Sequence, residues 1–164
     1  MEITGNTILI TGGTSGIGLA FAEEFLRSGN KVIICGRRQN RFAQIEEKNP
    51  GIVTYLSDVA DSKDREALAD QVISNYPDVN VLINNAGVQL LTDLTKPVNL
   101  TRVNSEVETN FIAPIHLSSL FAQHFAKKKK LQSLISHQVW LLCHCLLCLC
   151  IVLPKQPFIR LLYH

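Results

Sequence analysis

The chain's most informative stretch is Thr11–Gly18, which reads T-G-G-T-S-G-I-G. It follows the apolar, β-branched run Asn6–Ile10 and opens a segment with apolar residues at helical spacing. Gly12 suits a tight turn, Gly16 lets a phosphate approach the backbone, and Gly18 lets a helix pack close to the preceding strand. With Thr14, Ser15 and Ile17 between them, the free N–H groups and dipole of a helix start would attract a pyrophosphate. A plain turn is the competing reading, and the strand–loop–helix context favours a dinucleotide. A second cluster follows at Arg37 and Arg38. No carboxylate occurs in Val32–Arg38 to hold an adenosine ribose. Guanidinium groups there favour a 2′-phosphate, hence NADP over NAD, against two merely solvated arginines.

Strands and helices alternate around these residues. Strands are expected at Asn6–Ile10, Lys31–Cys35, Ile52–Leu56 and Val79–Ile83. Helices are expected at Leu19–Ser28, Arg41–Lys48, Asp61–Tyr76 and Val103–Ala126, the last with Asn110 inside it. This order implies βαβ units and an α/β fold, a Rossmann-type doubly wound parallel sheet of which the N-terminal half is credible. The carboxyl ends of the strands would then gather Thr11–Gly18, Gly36–Arg38, Ser57-Asp58 and Asn84–Gly87 on one edge.

Composition changes along the 164 residues. Overall, 46% hydrophobic and 18% charged residues permit a packed core. A net charge of +2 argues against nucleic acid or an anionic membrane as partner. The N-terminus carries no secretory pattern, so a cytoplasmic protein is expected. All 14 acidic residues lie from Glu2 to Glu108, and four of the 5 cysteines lie from Cys143 to Cys150. The change falls near Lys127–Lys130. Residues 1–130 are therefore read as the dinucleotide-binding segment and 131–164 as an aberrant apolar tail. Cys143, His144, Cys145, Cys148 and Cys150 could suggest a metal, but no second pair and no supporting carboxylate accompany them, so no metal is expected. Val139–Leu153 is too short for a membrane span.

T-G-x-x-x-G-x-G at Thr11–Gly18 with N-N-A-G at Asn84–Gly87 resembles the short-chain dehydrogenase/reductase superfamily, nearest its DltE-like bacterial members. The resemblance covers residues 1 to about 130. It implies hydride transfer between a nicotinamide cofactor and a small carbonyl or alcohol, in a homo-oligomer paired partly through Val103–Ala126. It further implies that Asp58 bonds the adenine amino group with Val59 beside it. Asn85, Ala86 and Gly87 would line the adenosine ribose. Asn110 would hold a water of the proton relay through its backbone. Without the resemblance, Asp58 reads as a loop carboxylate and Asn110 as a surface amide.

The family's remaining catalytic groups are a Ser and a Tyr-x-x-x-Lys, whose Lys lowers the Tyr pKa. The three tyrosines are Tyr55, Tyr76 and Tyr163, and none has a Lys four positions on. Asn110 is then the only catalytic position present, and an inactive chain is expected. A non-catalytic dinucleotide-binding module and a non-functional truncated product are the alternatives. The tail also suggests a shifted reading frame, because Lys127–Lys130 can be encoded by a run of A. Read one nucleotide out of phase, Ile135–Trp140 permits I-S-S-G-L and Cys150–Lys155 permits Y-C-A-T-K. Those strings supply the missing Ser and Tyr-x-x-x-Lys in order, and the nucleotide sequence across Lys127–Lys130 tests the idea.

Overall fold

The structure, a computed structural model, describes residues 4–89, 95 and 97–126. Expectations for Lys127–His164, including the cysteine cluster and the shifted frame, lie outside the described residues.

Four strands, β1 (Thr7–Thr11), β2 (Lys31–Gly36), β3 (Ile52–Leu56) and β4 (Val81–Ile83), form a parallel sheet in the order β3-β2-β1-β4. β1 lies at its centre, and all five of its residues are buried. Side chains alternate across a strand, so each face needs its own cover. Leu9, Ile33 and Leu82 pack with α3 (Ser62–Asn75) and with α5 (Ala113–Ala126) through Leu68, Val72, Leu117 and Phe121. Ile8, Ile10, Val32, Ile34 and Ile83 pack on the other face with Ala22 of α1 (Gly16–Arg27) and Ile45 of α2 (Phe42–Lys48). This is the Rossmann-type α/β arrangement expected of the alternation. Among the described residues no helix is long and apolar enough to cross a membrane.

Several boundaries differ from the sequence reading. α1 starts at Gly16, not Leu19, because its first turn faces the cleft and sets the exposed Ile17 between two glycines, outside the buried apolar spacing. β4 starts at Val81, not Val79. There the Val79 N–H closes a turn onto the Tyr76 carbonyl instead of joining the ladder. A 3-10 turn (Gln39–Arg41) precedes α2. The long helix starts at α4 (Leu100–Val107), where the Asn99 side chain accepts from the Arg102 N–H. A π-turn (Glu108–Ile112) then separates α4 from α5. Pro114 has no N–H for the Asn110 carbonyl four residues back, and its ring crowds that carbonyl, which the wider turn relieves.

Candidate functional site

The chain lays β2 and β3 to one side of β1 and then crosses back to lay β4 on the other. Loops after β1 and β4 diverge at such a reversal and leave a crevice at the carboxyl ends. Here it is an open cleft of about 380 Å³. Its walls are Gly12, Thr14, Ser15, Gly16, Ile17 and Gly18, then Arg37 and Arg38, then Ser57, Asp58 and Val59, then Asn85, Ala86, Gly87 and Val88, with Thr109 beside them. The residues singled out from sequence for a cofactor thus share one cleft. Ser57 was expected at this edge without a role of its own, and Val88 and Thr109 were not foreseen.

The glycines explain the loop's shape. Gly12 takes φ 67°, and a Cβ there would stand 2.8 Å from the Ala86 Cα. A Cβ on Gly18 would stand 2.3 Å from the Asn85 Nδ2 and 2.5 Å from the Gly12 carbonyl oxygen. Both distances lie well inside contact, so the loop tolerates no side chain at either position. Gly16 has φ 58° and nothing within 4 Å, which leaves its face open to a ligand. Ser15 stands at the N-cap of α1 in extended backbone but makes no side-chain cap. Its hydroxyl instead accepts from Arg38, whose Nη2 also donates to the Thr14 Oγ1 at 3.3 Å. The first-turn N–H groups of α1 therefore remain directed at the cleft.

Arg37 Nη1 lies 3.7 Å from the Asp58 Oδ2, both side chains being substantially exposed. The other carboxylate oxygen of Asp58 accepts from the Ala60 N–H at 3.0 Å, which fixes the carboxylate's orientation. Asn85 is buried and braces the glycine loop, its Nδ2 donating to the Thr11 carbonyl at 3.0 Å. The N–H groups of Asn85 and Ala86 both donate to the Thr11 Oγ1 at 3.0 Å. Asn110 does not line the cleft. Its side chain exchanges two hydrogen bonds with the backbone of Val88, at 2.8 and 2.7 Å, and so fixes the loop after β4. Beneath the loop, burial pushes the Cys35 thiol up to about 12 despite a hydrogen bond with the Gly12 backbone, which keeps it a protonated, inert core group. Ser57 Oγ, Asn84 Oδ1 and Asn85 Oδ1 are buried without a hydrogen-bond partner.

The family described as short chain dehydrogenase matches residues 6–133. The uncharacterized oxidoreductase DltE of Bacillus subtilis (strain 168) is 48% identical over 129 residues, 78% of this chain and 51% of DltE. An L-fucose dehydrogenase of Bos taurus is 27% identical, over 76% of this chain and 46% of its own. A metagenomic short-chain oxidoreductase solved in complex with NADP superposes with TM-score 0.75 at 23% identity, over 80% of this chain and 62% of that one. A short-chain dehydrogenase/reductase of Burkholderia phymatum in complex with NAD gives TM-score 0.75 at 24% identity, over 82% and 50%. The chain spans about half the length of the curated relatives it matches.

Proposed function

The chain belongs to the short-chain dehydrogenase family, and on that premise we propose that its cleft binds a nicotinamide dinucleotide, NADP in preference to NAD. One observation carries the reading. The uncapped first turn of α1 opens beside Gly16 into a cleft whose rim holds Arg37 and Arg38. The donor set fits the ligand. N–H groups at a helix start suit a pyrophosphate, and a guanidinium braced by Thr14 and Ser15 suits a 2′-phosphate. Asp58 and Val59 would take the adenine, and Asn85, Ala86 and Gly87 would border the ribose. The two solved neighbours in complex with NADP and NAD support a nicotinamide dinucleotide without choosing between them.

When bound, such a cofactor supplies or accepts a hydride at its nicotinamide C4, and the lineage reaction interconverts a carbonyl and an alcohol. This chain's residues bind and orient. Asn110 holds Val88, and its backbone carbonyl, deprived of an N–H from Pro114, can hold a water. The Tyr-x-x-x-Lys that serves as the family's acid/base does not occur in these 164 residues. Tyr55 accepts from the Asn75 Nδ2 at 3.0 Å, Tyr76 lies under Lys31, and neither lines the cleft. The 164 residues alone therefore bind without turnover, since a positioned acid/base contributes about 10²–10⁴-fold in rate. On this reading the protein is cytoplasmic. Thermal unfolding with and without NADPH tests binding, and NADPH oxidation with a panel of aldehydes and ketones tests turnover. Stabilisation without oxidation supports the proposal; no stabilisation, or steady oxidation, refutes it.

Pairing of two copies is a second reading with its own observation. Val107 of α4, Phe111 of the π-turn and Ile115 of α5 are exposed apolar residues, at 47%, 44% and 42%. Light scattering that finds only monomer at micromolar concentration would dismiss it.

A further inference from the structure

Arg65 is a buried cation outside the cleft. It lies on α3 with 2% of its surface exposed, and three of its donors are spent on three different segments. Nη1 donates to the Val59 carbonyl at 2.6 Å, Nη2 to the Glu108 Oε1 at 2.9 Å, and Nε to the His116 Nδ1 at 2.9 Å. Val59 is in the cleft wall after β3. Glu108 opens the π-turn whose next residue, Thr109, is also in the wall. Asn110 follows and holds Val88 of the loop after β4. Direct contacts therefore run from Val59 through Arg65, Glu108 and Asn110 to Val88, joining three walls. A charge removed from water must be fully paired, so its planar fork permits few alternative arrangements.

We infer that Arg65 is a positioning residue for the cleft: it locks the loop after β3 to the π-turn so that the two walls open and close as one unit. The nature of the ligand rests on the function proposed above; the coupling itself does not.

Amide hydrogen exchange on the full chain tests the coupling without ligand. In the wild type, residues 60–61 and 109–112 should open together. Arg65→Met should raise exchange in both segments at least about tenfold, the equivalent of losing one charged hydrogen bond, while β1 and β2 are unchanged. Glu108→Gln, which keeps the acceptor and loses the charge, should raise it less, and it serves if the Met variant does not fold. A rise in one segment only, or in neither, overturns the inference.

Affinity for 2′,5′-ADP gives a second readout. It should fall about tenfold in Arg65→Met, with partial recovery in Arg65→Lys. Asn80→Ala, at the far end of the sheet, should leave it unchanged at a matched drop in Tm. An equal loss in Asn80→Ala would reduce the effect to general destabilisation and refute the positioning role. A wild type that does not bind 2′,5′-ADP defeats the nucleotide reading alone, and the exchange result still decides the coupling.

Discussion

The two ends of the sheet use the same residue type in opposite ways. At the amino end, Asn6, Asn30 and Asn80 are joined by hydrogen bonds. Asn6 donates to the Asn30 Oδ1 at 3.0 Å, Asn80 donates to the Asn6 Oδ1 at 3.0 Å, and the Thr7 N–H donates to the Asn80 Oδ1 at 2.9 Å. Asp78 completes the end by accepting from Thr7 and Lys31. At the carboxyl end, Asn84 and Asn85 are as deeply buried, yet each keeps an unpartnered side-chain oxygen, and Ser57 keeps an unpartnered hydroxyl. An unpaired buried polar atom costs about 1–3 kcal/mol, so the amino end is built for stability and the carboxyl end forgoes some of it. Within the carboxyl end the two helix starts differ as well: Asp61 caps α3 by accepting from Lys63 and Asp64, whereas Ser15 leaves α1 uncapped at the cleft.

If that division is right, substitutions at the two ends should separate binding from stability. The largest effect is expected for Gly18→Ala. Its methyl would overlap the Asn85 amide and the Gly12 carbonyl, so NADPH binding should vanish and unfolding free energy should fall by about 1–3 kcal/mol. Calorimetric titration and a denaturant melt read both. Arg38→Ala comes next. Losing a charge-assisted contact worth about 1.5–3 kcal/mol should weaken NADPH about 10–100-fold, change NADH little, and leave the melt almost unmoved.

Asn80→Ala should do the reverse. It strips partners from the Thr7 N–H and from Asn6, lowers stability by about 1–3 kcal/mol, and leaves the NADPH Kd in place. A change in Kd there would break the division.

The smallest effect concerns pH. Burial raises the Asp78 pKa, but hydrogen bonds from Thr7 and its own backbone, with the nearby Lys31, outweigh it and hold the carboxyl below the usual carboxylate range. The folded state thus binds fewer protons than the unfolded state, and the resulting stability is present above about pH 4 and lost as pH falls through the folded pKa. Asp78→Asn should flatten that acid limb slightly, since the side chain is more than half exposed. Melts between pH 3 and 6 check it, and an unchanged slope would remove Asp78 from the account.

The carboxyl end was the more legible of the two in the sequence. Its chemistry is carried by contiguous motifs, Thr11–Gly18 and Asn84–Gly87, and a backbone that must meet phosphate announces itself in glycine. β3 has the bounds its apolar run suggests, Ile52–Leu56. The amino-end set was not foreseen, because Asn6, Asn30 and Asn80 are far apart in the chain: Asn6 and Asn80 fell inside expected strands, and Asn30 read only as a helix stop. The Arg65 clamp was missed for the same reason: its partners Glu108 and His116 are 43 and 51 residues away. The π-turn did have a local signal in Pro114, four residues after Asn110, a spacing that α-helical hydrogen bonding cannot satisfy. The start of α1 was hidden because its first turn, Gly16-Ile17-Gly18, lies at the cleft and does not share the helix's buried apolar spacing.

The central claim is that the carboxyl-end cleft binds a dinucleotide and reads its 2′-phosphate. Titration of the purified 164-residue chain with NADPH and, separately, with NADH tests it most directly. One site is expected, with NADPH bound at least about tenfold more tightly than NADH and the difference disappearing in Arg38→Ala. Equal affinity for the two, or no binding of either by a folded chain, would contradict it.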